Sequence, residues 1–258
     1  MGTVRALMLG DLVGEPGLRL LEEKLAAVVA ENGVDFTVIN GENAADGFGL
    51  TEATLRRILA AGADAVTSGN HVWEKRDFWP VLDGEPRVLR PANYPPAVAG
   101  RGFYRFVKAG TDWLVLNLQG RELMSPIDCP FRCLDALLES EGHPAVVLVD
   151  FHAESAREKE ALGYHAAGRV SLVAGTHTHV ATADERILPG GTAYITDLGM
   201  TGITDSVIGM DTRICLERTR KQVLYRMEPA ATGTARLQGV IAEIDGETGR
   251  AVSVKRLP

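Results

Sequence analysis

Val4-Arg5-Ala6-Leu7-Met8-Leu9-Gly10-Asp11 is a short apolar run that ends on a glycine and a carboxylate. It reads as a buried strand, and the next sixty residues repeat its plan. Gly17–Asn32 reads as a helix, with Leu18, Leu21, Leu25, Val28 and Val29 on one face and Gly33 as its stop. Phe36–Asn40 is a second strand, followed by Glu42-Asn43. Thr51 is a good N-cap for a helix over Glu52–Ala61, which Gly62 ends. Asp64–Ser68 is a third strand, followed by Gly69-Asn70-His71. A β-α-β-α-β opening predicts a parallel sheet, and ligands bind at the carboxyl ends of such strands.

The rest of the chain keeps strands but loses the regular alternation. Pro80, Pro86, Pro91, Pro95 and Pro96 break the middle, so Glu74–Leu82 reads as a short helix before an extended loop. Gly102–Ala109 and Trp113–Leu118 form a hairpin around Gly110-Thr111. Asp128–Glu141 reads as helix, Ala145–Val149 as strand, Ser155–Ala167 as helix and Val170–Ala174 as strand. Glu185–Leu188 and Thr192–Thr196 flank the turn Pro189-Gly190-Gly191. Met210–Lys221 reads as a helix, and Leu237–Ile244 with Arg250–Lys255 as a last hairpin. With no repeat or low-complexity linker, residues 1–258 read as one α/β domain. Its two mixed sheets pack face to face, with helices outside.

Bulk properties narrow the functional classes. A net charge of −7, from 27 basic and 34 acidic residues, gives no electrostatic footprint for duplex DNA or an anionic membrane. It leaves room for a small anionic substrate, because bound divalent cations would reverse the local sign. Three cysteines are too few for a disulfide framework, and Cys129 and Cys133 read as small buried hydrophobes near a helix start. A reduced, cytoplasmic setting is expected, with no signal peptide and no apolar run of membrane-spanning length.

The six histidines carry the chemistry. His71 follows the third strand, His152 ends Asp150-Phe151-His152, and His177 and His179 lie in Gly175-Thr176-His177-Thr178-His179. With Asp11 and Glu42-Asn43, five strand-like segments end in metal-competent side chains. Gly41 would let the backbone turn a carboxylate and an amide toward one point. In an extended segment residues two apart point the same way, so His177 and His179 would face one site. Neutral imidazole suits iron, manganese or zinc. Asp150 reads as an acceptor orienting a ligand, or as a solvated carboxylate. His143, in a Gly-His-Pro turn, and His165, in mid-helix, read as structural, as does Trp73. Phe48 reads as loop packing ahead of base stacking.

These segments resemble the calcineurin-like metallophosphoesterases, with Gly69-Asn70-His71 and Gly175–His179 as the most specific motifs. Two departures stand out: Val13 occupies the place of a usual histidine, and Glu42-Asn43 stands where aspartate is usual. Gly10–Gly14, Asn40–Ala44, Ser68–Trp73, His152–Lys159, Gly175–Val180 and Thr196–Gly202 are similar, in order, to the YmdB-like bacterial phosphodiesterases within that superfamily. The resemblance implies a four-layer α/β/β/α sandwich, two metal ions (iron, with manganese as the alternative) and cleavage of cyclic nucleotide phosphodiesters such as 2′,3′-cyclic or 3′,5′-cyclic AMP. It assigns Asp11, Glu42, Asn43 and His179 to one metal and Glu42, Asn70, His152 and His177 to the other, with Glu42 bridging. Asn43 would compensate for the imidazole missing at Val13. Two metals clamping a phosphate would share a bridging hydroxide as nucleophile. His71, beside Asn70 but not assigned to metal, is then the general acid for the leaving alkoxide. Imidazole titrates near neutrality, which suits that task.

Three other readings compete: a phosphomonoesterase on the same fold, a metal-bound nucleotide sensor or scaffold for RNA-processing partners, and a purely structural metal site. The motifs carry no Arg or Lys beside His71 until Lys75 and Arg76, which favours diesters. Intact Asn70 and His71 argue against a non-catalytic site. A cluster without cysteine argues against a structural metal. The resemblance also implies a homo-oligomer, although no heptad or apolar stripe places its interface.

Overall fold

Burial on both faces is what the uninterrupted apolar strands demand, and a computed structural model of residues 2–142 and 144–257 shows how it is met. The chain runs β1 (Thr3–Leu9), β2 (Asp11–Leu12), α1 (Gly14–Asn32), β3 (Phe36–Asn40), α2 (Glu52–Ala61) and β4 (Ala65–Thr67). Then come 3-10 turns at Asn70–Trp73 and Arg76–Phe78, α3 (Trp79–Gly84), β5 (Phe103–Lys108), β6 (Thr111–Gln119), α4 (Pro130–Glu141) and β7 (Val146–His152). Next are α5 (Ala156–Ala166), β8 (Leu172–Thr176), β9 (Arg186–Leu188), β10 (Thr192–Ile195) and β11 (Met200–Ile203). The last elements are α6 (Thr212–Lys221), β12 (Ala235–Leu237), β13 (Gly239–Asp245) and β14 (Ala251–Arg256).

One sheet has the order β14-β13-β1-β3-β4 and the other β5-β6-β7-β8-β10-β9. Both are mixed. β1, β3 and β4 are parallel, while β13 and β14 add antiparallel strands. β6, β7, β8 and β10 are parallel, and β5 and β9 pair antiparallel at the edges. Alternation along a strand sends neighbouring side chains to opposite faces. Met8, Phe36 and Val38 therefore meet Trp113, Val115 and Leu148 between the sheets. The Phe36 ring stacks on Trp113 at 4.6 Å. Leu7, Leu9 and Ile39 point the other way, under Leu18, Leu21 and Leu25 of α1 and Leu55 and Ile58 of α2. Leu114, Leu116 and Val149 lie beneath Leu134 of α4 and Leu162 of α5. This is the four-layer α/β/β/α sandwich.

Thr51 caps α2 by accepting from the Thr54 amide at 3.2 Å. Gly33 and Gly62 end α1 and α2 with φ of 58° and 119°, as a left-handed stop requires.

Several local readings need correction. α1 starts at Gly14, three residues early, and α4 starts at Pro130, where the fixed ring φ suits a first helical position. Glu74–Leu82 is not one helix, because Pro80 confines α-helix to Trp79–Gly84. A third sheet, β12-β11-β2, was not anticipated. Cys129 and Cys133 are half-buried rather than buried. His165 lies in the last turn of α5, 2.9 Å from Asp135. His143 falls outside the described residues. Among the described residues, no helix is long and apolar enough to cross a membrane.

Candidate metal centre

The strand ends gather the candidate residues at one rim of the sandwich. Asp11 begins β2, directly after β1, and is fully buried. One of its oxygens accepts from the His177 amide at 3.1 Å. The other, Oδ1, has no hydrogen-bond partner and lies 3.8 Å from His179 Nε2. Glu42 follows β3 and is 1% exposed. Its Oε1 is 3.0 Å from His152 Nε2, and its Oε2 accepts from the His71 amide at 3.2 Å. His152 Nε2 is also 3.0 Å from His177 Nδ1. Glu42, His152 and His177 thus form a compact donor set.

Gly69 is where the backbone must come closest. A Cβ there would overlap His152 Nε2 and Glu42 Oε2. Those contacts leave no room for any side chain, so glycine is required by space.

Each imidazole has one nitrogen committed and the other turned inward. His152 Nδ1 is 2.9 Å from Thr176 Oγ1, and that hydroxyl donates to Asp150 at 2.7 Å. The single hydroxyl proton goes to Asp150, so Nδ1 must be the donor and Nε2 faces the cluster. His179 Nδ1 donates to the Ile208 carbonyl at 2.8 Å, which leaves Nε2 for the Asp11 side. His177 Nε2 lies 3.1 Å from a Glu154 carboxylate oxygen, which leaves Nδ1 facing His152. Metal-binding histidines are oriented in this manner.

The proposed oxygen donors fit the same pattern. Asn43 Nδ2 is held by the Gly47 carbonyl at 2.9 Å, and its Oδ1 is buried without a hydrogen-bond partner. Asn70 Oδ1 is likewise buried and unpartnered. Leaving a buried acceptor unsatisfied costs about 1–3 kcal/mol. Three such oxygens, from Asp11, Asn43 and Asn70, occur among the seven candidate residues. Hard cations would satisfy these oxygens, and the imidazole nitrogens would complete their coordination.

The electrostatics agree. Burial works against charge on Glu42, but His152 outweighs it and takes the carboxyl down to about 2. Burial also opposes charge on His152, yet Glu42 and Asp11 lift it to about 9. Burial and the nearby positive His152 depress His177 to about 3, so that ring stays neutral. Asp11 is raised, chiefly by burial. As protein groups alone, the carboxylates hold a proton on His152 where a cation could stand.

His71 sits at the edge of this cluster, tied to Glu42 through its amide rather than its ring. Glu74 Oε1 is 3.3 Å from Nδ1, and the Phe48 ring meets the imidazole edge-on at 5.0 Å. Phe48 also packs on the cluster of Val13, Met200, Met210 and Cys215, as a loop-packing residue should.

His177 and His179 are not in extended backbone. β8 ends at Thr176, and the two histidines have φ of 101° and 64°. Such conformations cost roughly 1–3 kcal/mol each and persist only when surroundings impose them. Asp197 and Lys159 do so, and sequence reasoning gave neither a role. Asp197 accepts from Thr178 N at 3.2 Å and Thr178 Oγ1 at 2.8 Å, pinning the residue between the histidines. Lys159, only 1% exposed, donates to Asp197 at 2.6 Å. The signal was present, since both lie within quoted motifs. Asp150 is buried, which removes its solvated reading. Besides Thr176, it accepts from Asn40 at 3.0 Å and from Thr67.

A sandwich of two mixed sheets, with oxygen and imidazole donors at its strand ends, defines the metallophosphoesterase class. Consistent with that fold, the NAD nucleotidase of Haemophilus influenzae superposes with a TM-score of 0.61 at 12% identity, over 98% of this chain and 55% of that one. A family model described as "YmdB-like protein" matches residues 7–257. The chain belongs to the YmdB-like family of calcineurin-like metallophosphoesterases. It is 44% identical over 256 residues to the 2′,3′-cyclic-nucleotide 2′-phosphodiesterase of Bacillus subtilis (strain 168), covering 98% of this chain and 96% of the relative. A crystal structure of a hypothetical protein from Thermus thermophilus aligns at a TM-score of 0.93 and 41% identity, over 98% of both chains.

Proposed function

We propose that this protein is a two-metal phosphodiesterase acting on cyclic nucleotides, with 2′,3′-cyclic nucleotides as the main substrate class and 3′,5′-cyclic AMP as a second substrate. The observation that carries the reading is the set of three buried, unpartnered oxygens on Asp11, Asn43 and Asn70 beside three oriented imidazoles. Asp11, Glu42, Asn43 and His179 would hold one metal. Glu42, Asn70, His152 and His177 would hold the other, with Glu42 shared. Oxygen-rich donors without thiolate suit iron or manganese. When bound, the metals supply Lewis-acid charge to the phosphoryl oxygens and acidify a water.

The chain's own groups perform the rest. Thr176, Glu154 and the Ile208 carbonyl fix which imidazole nitrogen faces inward. Glu74 holds His71 Nδ1, which leaves Nε2 to give a proton to the leaving alkoxide. General acid catalysis of this kind is worth about 10²–10⁴-fold. The relative's printed activity supports the substrate class. The proposal extends to a single domain working in the cytoplasm, where its three free cysteines would stay reduced, and to self-association.

The test is turnover of 2′,3′-cyclic AMP, 3′,5′-cyclic AMP and bis-p-nitrophenyl phosphate, with metal analysis of the same sample. His71→Ala should keep its metals and lose about 10²–10⁴-fold in rate. His179→Ala should lose metal. Two bound metals with no diester turnover would sink the proposal, and an emptied site in His71→Ala would overturn the role given to that residue.

A further inference from the structure

Behind the loop that follows β4, a cavity of about 610 Å³ opens between the 90–103 segment and the start of α4. None of its lining residues belongs to the metal cluster. Arg90, Arg101 and Arg132 line it, against a single carboxylate, Asp128.

Arg90 is the unusual group. It is only 6% exposed, and among the described residues no carboxylate pairs with it. Its Nη1 donates to the carbonyls of Pro91 at 2.9 Å and Ala92 at 3.1 Å, while its Nε has no partner. A buried, unpaired guanidinium costs several kcal/mol, so its presence in a cavity wall calls for an anion. Arg101 is linked to it through the backbone, its carbonyl accepting from the Arg90 amide at 3.0 Å. Arg101 and Arg132 are exposed, and neither makes an ion pair among the described residues. α4 also begins at this wall, and its N-cap, Cys129, makes no side-chain capping bond. The positive end of the helix is thus left open toward an anion.

We propose that this cavity is a second ligand site, separate from the metal centre, for a phosphate monoester dianion. Three guanidiniums against one carboxylate match a dianion, and the fork of arginine suits phosphate oxygens. The volume falls in the small-molecule range and leaves space beyond the phosphate, alongside Tyr94 and Phe103.

Cys129 and Cys133 also line the cavity and provide a local readout. Cys215, buried elsewhere, is the internal control. The metal-loaded protein is alkylated with N-ethylmaleimide, and labelling at each cysteine is followed by peptide mass spectrometry. Inorganic phosphate and AMP are the probes, with sodium chloride at matched ionic strength as control. Saturable protection of Cys129 and Cys133 is expected at or below about 1 mM, weakened about tenfold in Arg101→Ala and Arg132→Ala. Stronger protection by AMP would assign the site to a nucleotide, and equal protection to phosphate itself. Absence of protection by either probe, equal protection by chloride, or protection unchanged in both variants would overturn the proposal. The readout needs no turnover, so it stands or falls apart from the phosphodiesterase reading.

Discussion

Replacing Thr176 by valine tests whether imidazole orientation governs metal binding. The hydroxyl lies 2.9 Å from His152 Nδ1, 2.7 Å from Asp150 Oδ1 and 3.3 Å from Asn40 Nδ2, all within buried surroundings. Valine keeps the shape and the β-branch but removes every one of these contacts. His152 then loses the group that fixes its ring and raises the basicity of Nε2. Losing an orienting partner of this kind typically lowers metal affinity about 10–100-fold, equivalent to about 1.4–2.7 kcal/mol. Asp150 keeps Asn40 and Thr67 but loses one charge-assisted bond, so stability should fall by about 1–3 kcal/mol. The assay is a metal titration of the apo protein with stoichiometry by elemental analysis, alongside urea unfolding of the metal-free form. Thr176→Ser restores the hydroxyl and should recover most of the affinity. Wild-type metal affinity in Thr176→Val would refute the orientation argument, even if stability had dropped.

Gly69→Ala should empty or distort the centre, because the new Cβ would overlap His152 and Glu42; a misplacement of about 1 Å costs roughly 10²-fold in rate, so full metal content with near-normal turnover would contradict this packing. Gly84→Ala, where nothing lies within 4 Å, is its neutral control. Lys159→Met should destabilise by about 3–5 kcal/mol, since it strands the buried Asp197; a guanidinium midpoint change worth less than about 1 kcal/mol would show that the pair matters little. On the surface, Arg57 and then Arg19 hold the Glu15 carboxyl down at about 2, against the ordinary 4.5. A depressed carboxyl adds stability above its unfolded value and loses it as pH falls through the folded one. The stability advantage of wild type over Arg57→Ala should therefore shrink between pH 4.5 and about 2, and at neutral pH it should stay below about 1 kcal/mol because these groups are half-exposed. A constant advantage across that window would exclude this ion pair as its source.

The long strands were legible because burial on both faces leaves uninterrupted apolar runs such as Ala6–Leu9 and Val146–Val149. α1 and α2 were legible from leucine spacing and a threonine cap. The third sheet was not. β2 is two residues long, and β11 is Met-Thr-Gly-Ile, so neither carries a periodic signal. At the candidate metal centre the residue types announced themselves, but their orientation did not. His179 is set by the Ile208 carbonyl, and a backbone acceptor has no residue-type signature. The turn through His177 and His179 is held by Asp197 from a distant segment, so local reasoning defaulted to extended backbone. Arg90 is silent for a similar reason, since its lack of a carboxylate appears only once the chain is folded.

The position of β1 has a consequence for synthesis. Although it precedes the other strands in sequence, it ends up between β3 and β13. Its pairing with β13 runs from Thr3↔Asp245 to Leu9↔Gly239. As the chain leaves the ribosome, one edge of β1 must wait until residue 245 has emerged. During that interval Leu7 and Met8 sit on an open strand edge, the kind of template that recruits other chains. Asp11 waits as well, because β2 pairs with β11 near residue 200. The candidate donors can therefore assemble only after β11 and the Ile208 carbonyl have emerged, and a nascent chain stalled before residue 239 would still carry the open edge of β1.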